Sequence, residues 1–116
     1  MSKEHLLVLG AGPGGYSAAF YAADQGYKVT LVEANKKPGG VCLHRGCIPS
    51  KALLHIAGLM TKNRQAREWG IKYDDPDIDI ELVRNRKEEI ISKISDGLVT
   101  LCEQRGVSFV NGRGKF

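Results

Sequence analysis

Two cysteines five positions apart, Cys42 and Cys47, are the residues of this sequence best suited to chemistry. They lie in Gly39-Gly40-Val41-Cys42-Leu43-His44-Arg45-Gly46-Cys47-Ile48-Pro49-Ser50-Lys51, after a glycine pair and just before a proline. The residues that follow, 50–57, read as helix. An α-helix rises about 1.5 Å per residue, so positions i and i+5 stand more than about 7.5 Å apart. A disulfide needs Cα atoms within roughly 7 Å, so a regular helix does not hold this pair oxidised. Gly46 loosens the backbone, and Pro49 withdraws a donor and crowds the carbonyl of Arg45. A distorted turn that lets the two sulfurs meet is therefore open to this chain. So short a loop closes little chain entropy, which makes redox chemistry a better reason for the pair than stability. Cys42, His44 and Cys47 also read as a partial metal set, but structural zinc takes four ligands and no second pair is spaced to complete one. Cys102 stands alone in an apolar helical pattern and is expected in the core.

The elements that must position the thiols begin upstream. His5-Leu6-Leu7-Val8-Leu9 is a short apolar run ended by glycine, which predicts a buried parallel strand. Gly10-Ala11-Gly12-Pro13-Gly14-Gly15 follows, giving the pattern Gly10-x-Gly12-x-x-Gly15. An alanine-rich helix is predicted over 16–25, stopped by Gly26, and a second strand over 28–32 ends on Glu33. In such a unit Gly10 allows the tight turn, Gly12 lets backbone approach a pyrophosphate, and Gly15 lets helix pack closely on strand. The unpaired amides and positive dipole end of the helix face the phosphates. Glu33 stands roughly 20 residues beyond the glycines, where a carboxylate can accept ribose hydroxyls. A glycine turn closing an unliganded βαβ unit is the alternative.

Asn35 to Gly40 is a loop by its proline and glycines. A helix is predicted from near Val41, distorted at 46–49, to about Trp69, with Leu53, Leu54, Ala57, Met60 and Ala66 as its apolar face and His55 as a polar position. Residues 71–77 form an exposed connector broken by Pro76, and their acids lack the glycine and terminal glutamate of a calcium loop. Val83, Ile90, Ile94, Leu98 and Leu101 recur at helical spacing, predicting a helix over 80–105 that Gly97 weakens and Gly106 ends. A third strand is predicted over 107–111. The fold class is α/β, a Rossmann-like βαβ unit with a parallel sheet.

At 116 residues the expectation is one domain with a real core. A composition 42% hydrophobic and 26% charged is that of an ordinary globular protein. No apolar run approaches the roughly 18 residues of a membrane span, and the run over 5–9 is too short for a signal-peptide core. A start at Met1 with almost no leader points to the cytoplasm. The net charge of +4 comes from 17 basic and 13 acidic residues. They interleave, as in Arg84-Asn85-Arg86-Lys87-Glu88-Glu89, which describes solvated helix faces rather than the clustered stripe of a nucleic-acid binder. Three cysteines do not make a structural disulfide framework.

The cysteine stretch, through Gly40, Cys42, Gly46, Cys47, Pro49, Ser50 and Lys51, resembles the redox-active disulfide of the flavin disulfide reductases, the class I pyridine nucleotide-disulfide oxidoreductases. Within that family, Cys47-Ile48-Pro49-Ser50-Lys51-Ala52-Leu53-Leu54 is most similar to the dihydrolipoamide dehydrogenase branch. Mercuric reductases share the Ser-Lys pair and stay an alternative; glutathione reductases usually carry Lys where Ser50 stands. Asn-Val is common between the cysteines where this chain has His44-Arg45, a departure that bears on local polarity and thiol acidity. The resemblance covers essentially the whole chain but only the first portion of the family.

That resemblance implies that residues 1–116 are the N-terminal part of an FAD/NAD(P)-binding domain, without the NAD and dimerisation domains. It implies oxidation of dihydrolipoamide by NAD through FAD and a Cys42–Cys47 disulfide. Cys42 would be the interchange thiol that meets the substrate sulfur, and Cys47 the inner thiol against the flavin. Lys51 would stand by the flavin ring, its cation stabilising the reduced cofactor and, with a helix terminus, lowering the Cys47 thiol. FAD would be held by Gly10, Gly12, Pro13, Gly14, Gly15, Glu33, Ala34, Gly40, Val41, Cys42, Cys47, Lys51 and Gly114, the last in the turn Gly112-Arg113-Gly114. Implied partners are dihydrolipoamide or a lipoyl domain, and a second copy whose His-Glu pair transfers the proton; no nucleic acid or membrane is implied. The chain alone is expected to bind FAD weakly and to turn over negligibly. Two other readings stay open: a non-catalytic nucleotide-binding module, and a fragment that self-associates through an exposed sheet edge.

Overall fold

A strand, a glycine turn and an alanine-rich helix open the fold as the sequence predicts, and the computed structural model describes residues 4–116. The start at Met1 lies outside the described residues. In chain order the elements are β1 (His5–Leu9), α1 (Pro13–Asp24), β2 (Lys28–Glu33), α2 (Gly40–Arg45), α3 (Cys47–Ala66), a 3-10 turn (Arg67–Trp69), α4 (Ile80–Gln104) and β3 (Ser108–Asn111). The three strands form one parallel sheet in the order β1-β2-β3. Both crossovers run in the same direction across the sheet, so right-handed connections bring α1 and α4 to one face.

Alternation along β2 shows which face that is. Val29, Leu31 and Glu33 are buried, whereas Thr30 and Val32 between them are only half-buried. Val29 and Leu31 join Ala11, Ala19, Ala22, Cys102 and Val107 in the main core. The small alanines of α1 let that helix come close to the sheet, and Cys102 lies in the core as expected.

The other face is bare among the described residues. Leu9, Val32 and Val110 stand side by side across the three strands, and Leu9 and Val110 are each 45% exposed. Leu7 is 58% exposed. The expectation of a buried β1 is therefore corrected: it is an edge strand, covered on one face only. The apolar run identifies a strand packed on both faces in a larger sheet, and here nothing covers the second face.

The single distorted helix expected from Val41 to Trp69 is two helices and a turn. Gly46 separates α2 from α3, and Gly70, at φ 84°, ends the 3-10 turn. The predicted apolar face of α3 holds at its end and not at its start. Met60 is half-buried and Ala66 buried as predicted, but Leu53, Leu54 and Ala57 are exposed, and Ile48, Ala52 and Ile56 are half-buried in their place. On α4 the fully buried residues are Ile91, Ser95, Leu98 and Cys102 rather than the predicted set, of which only Leu98 is buried. Asp79 caps α4, its carboxylate accepting the amides of Glu81 and Leu82 at 3.0 and 3.1 Å. Residues 71–79 are exposed throughout, as the connector reading requires. Among the described residues no helix is long and apolar enough to cross a membrane.

Candidate functional site

The carboxyl ends of the three parallel strands converge on one edge of the sheet, the usual location of ligands in such folds. The first loop there is the glycine motif. The Gly10 amide donates to the Val32 carbonyl at 2.7 Å, carrying the ladder one step past β1. Gly12 caps α1 and Pro13 is its first residue, where a missing amide hydrogen costs no helical bond. The first helical bond runs from the Tyr16 amide to the Gly12 carbonyl at 3.0 Å, so the amides of Gly14 and Gly15 have no acceptor within the helix. A Cβ on Gly15 would overlap the Gly10 carbonyl. This is the close helix–strand approach read from the sequence.

Against this loop sits the start of α2. The Gly39 amide donates to the Ala11 carbonyl at 2.7 Å. Gly40 has φ 67°, and a Cβ there would stand 2.6 Å from the Gly12 Cα. Backbone therefore meets backbone, and Val41 and Cys42 follow directly. The helix that carries Cys42 is docked on the glycine loop at a contact that no side chain would allow.

Glu33 is 8% exposed and its carboxylate is already engaged. Oε2 accepts the Ala11 amide at 2.7 Å, and Oε1 accepts the Asn35 amide at 2.9 Å and the Asn35 Nδ2 at 3.0 Å. Burial would raise its pKa, but these bonds to Asn35 and Ala11, with a further one from the Ala34 amide, outweigh it and hold the carboxyl below its ordinary value. A carboxylate has about four acceptor sites. The three short bonds together with the Ala34 amide take up nearly all of that capacity, and the oxygen with the single short bond is Oε2. Ala34 and Gly114 border a cleft of about 170 Å³ with Leu9, Gly10, Val32, Glu33, Gly112 and Arg113. Gly114 packs against Leu9, whose Cδ2 would lie 2.8 Å from an added Cβ.

The thiols lie on either side of Gly46. Cys42 is in the middle of α2 and half-buried; Cys47 is the first residue of α3 and exposed. Both are free thiols, and their side chains are hydrogen-bonded to each other. That bond is the main cause of a raised Cys42 thiol, followed by burial and the charge of Cys47. The Cys47 amide and the Lys51 cation pull the other way and are outweighed. The break that brings the sulfurs together is Gly46 alone. Pro49 is the third residue of α3, inside the first turn, where its missing donor breaks no helical bond. The Cys102 thiol is raised by burial and then by Glu103. His44 does not join the pair as a metal ligand: its Nε2 donates to the Pro38 carbonyl at 3.0 Å. Among the described residues no group of three or more His, Cys, Asp and Glu is placed to hold a metal ion.

Three contributors escaped the sequence reading. Ser95, buried in α4, donates to the same Pro38 carbonyl at 3.2 Å and ties the loop before α2 to the helix behind it. Asn35 fixes Glu33, and Asn111 gathers the carbonyls at the end of β2. An amide at a strand end beside a glycine turn was the one available signal for Asn111.

Residues 4–116 match the family described as pyridine nucleotide-disulphide oxidoreductase. A dihydrolipoyl dehydrogenase of Vibrio cholerae is 48% identical over 100% of this chain and 25% of its own length. One of Haemophilus influenzae is 45% identical with the same coverage, and dihydrolipoyl dehydrogenase 3 of Haloarcula marismortui is 45% identical over 99% of the chain and 24% of its own length. The chain thus spans about a quarter of the length of these curated relatives. Matched along all its described residues, the chain belongs to the pyridine nucleotide-disulphide oxidoreductase family.

Proposed function

We propose that the chain is the FAD-binding and dithiol portion of a cytoplasmic dihydrolipoamide dehydrogenase. In the whole protein, dihydrolipoamide would be oxidised to lipoamide and the electrons passed through Cys42 and Cys47, then FAD, to NAD. The observation that carries this reading is the Gly12–Gly40 contact, which sets the thiol helix against the cofactor loop. The residues present fit FAD. The amides of Gly14 and Gly15 have no acceptor within the helix, as phosphate-binding amides at a helix N-terminus require, and no atom lies within 4 Å of a Gly14 Cβ. The cleft beside Glu33, Ala34 and Gly114 suits the adenosine end.

When bound, FAD supplies a two-electron acceptor beside the thiols. The chain's own residues would carry the sulfur exchange. In the oxidised pair, a substrate thiolate attacks Cys42 Sγ and expels Cys47 Sγ as thiolate. The second substrate thiol then attacks the sulfur bound to Cys42, closing the lipoamide disulfide and giving its proton to the departing Cys42. One dithiol and one disulfide stand on each side of the exchange. The Cys47 amide and Lys51 favour the Cys42 thiolate as it departs. Once released, the raised Cys42 thiol keeps its proton. Nicotinamide binding, homodimer formation and lipoyl-domain docking are proposed for the whole protein and are not assigned to these residues.

Titration of the purified chain with FAD, followed by flavin fluorescence, tests the reading. One FAD should bind per chain, more weakly than to a full-length relative; no binding up to the solubility limit of FAD would refute it. The bare face at Leu7, Leu9 and Val110 favours self-association as a second reading. Light scattering would then show oligomers that grow with concentration irrespective of FAD.

A further inference from the structure

Asn111 ends β3 directly opposite Glu33 at the end of β2. Its Nδ2 lies 3.0 Å from the Glu33 carbonyl, 3.2 Å from that of Ala34 and 2.7 Å from that of Asn35. Three carbonyl oxygens can face only a donor, so the network itself assigns the nitrogen to this side of the amide. The Gly112 amide also donates to the Glu33 carbonyl, at 2.8 Å. The same short segment is held from its other side by the Glu33 carboxylate, which takes the amides of Ala11 and Asn35. Its backbone is thus curled back by Asn111 while its side chain reaches the glycine loop.

We propose that Asn111 is a positioning residue for the adenosine end of the cofactor. By gathering three consecutive carbonyls it sets the conformation of 33–35, and with it the wall of the cleft and the aim of Glu33 Oε2. Ala34 and Asn35 are exposed, so their carbonyls could bond to water in the absence of Asn111, and the Glu33 carbonyl would keep the Gly112 amide. The Asn111 side chain therefore adds little to the stability of the fold and selects one loop conformation among several. A residue needed only for folding would show the opposite balance. The inference rests on the FAD reading above.

The test uses the full chain, with FAD and FMN as probes and the thermal midpoint measured without ligand. Asn111→Ala should bind FAD at least tenfold more weakly than wild type, with its midpoint nearly unchanged. FMN, which lacks the adenosine, should bind both chains alike. Asn111→Asp keeps the side-chain volume, removes both donor hydrogens and should lose at least as much FAD affinity. Wild type binding FAD no better than both variants would overturn the inference alone. Loss of affinity that only tracks a fallen midpoint would also overturn it, by making Asn111 a folding residue. A wild-type chain that binds no FAD would overturn the FAD reading and this inference together.

Discussion

Gly40→Ala probes the joint between the glycine loop and the helix that carries Cys42. Gly40 has φ 67°, in the left-handed region that costs a residue with a Cβ roughly 1–2 kcal/mol. The new Cβ would stand 2.6 Å from the Gly12 Cα, whereas carbon contacts settle at about 3.5–4.0 Å. Backbone on both sides must then separate by about 1 Å, and such overpacking typically costs about 1–3 kcal/mol. Together these come to about 2–5 kcal/mol. A domain of this size has a stability of about 6–17 kcal/mol, so the sheet and α1 should survive while α2 lifts from the glycine loop. Thermal denaturation should show a midpoint roughly 10 °C lower or more. FAD affinity should fall at least about tenfold, the equivalent of about 1.4 kcal/mol. Gly14→Ala is the control: no atom lies within 4 Å of its Cβ, and alanine is the better helix former, so its midpoint should hold or rise. A Gly40→Ala chain with wild-type midpoint and wild-type FAD affinity would refute the joint.

Glu33 gives a pH signature. Its folded pKa lies below the ordinary 4.5, so its contribution is complete above about pH 4.5 and is lost as pH falls through the lowered value. Between about pH 5 and pH 3 the wild-type midpoint should therefore fall more steeply than that of Glu33→Gln; parallel curves would contradict this. For the cysteines, mild oxidation followed by differential alkylation and mass spectrometry should place a reversible disulfide on Cys42 and Cys47. Cys102, 2% exposed, should stay a slowly reacting thiol, and a bridge to it would sink the pairing.

How much of this was legible in the sequence depended on the range of the interaction. The strand–turn–helix–strand unit was readable because each signal is local: an apolar run, glycines at fixed offsets, a breaker-free helix. The exposure of β1 was not, because burial is set by neighbours across the sheet, and Leu7 carries the same sequence signal covered or bare. The start of the α3 face and the face of α4 were misphased because apolar residues occur around much of each helix. Only the partner surface selects Ile91 over Ile90. Glu33 was located correctly at the strand end, yet its bonds to Ala11 and Asn35 depend on how two loops fold back on one another. Gly40 read as part of a glycine loop; its contact with Gly12 is a long-range approach that no spacing encodes. At Gly46 and Pro49 the chemistry of the break was anticipated but credited to two residues, whereas the register of α3 leaves Pro49 with no bond to break.

Anaerobic reduction of the FAD-loaded chain by dihydrolipoamide tests most directly whether the thiol pair and the cofactor loop act as one unit. If they do, the flavin absorption spectrum changes on adding a stoichiometric amount of the dithiol, and Cys42→Ser and Cys47→Ser each abolish the change while still binding FAD. A flavin that stays unchanged in the wild-type chain, or that responds equally in both serine variants, would contradict the coupling.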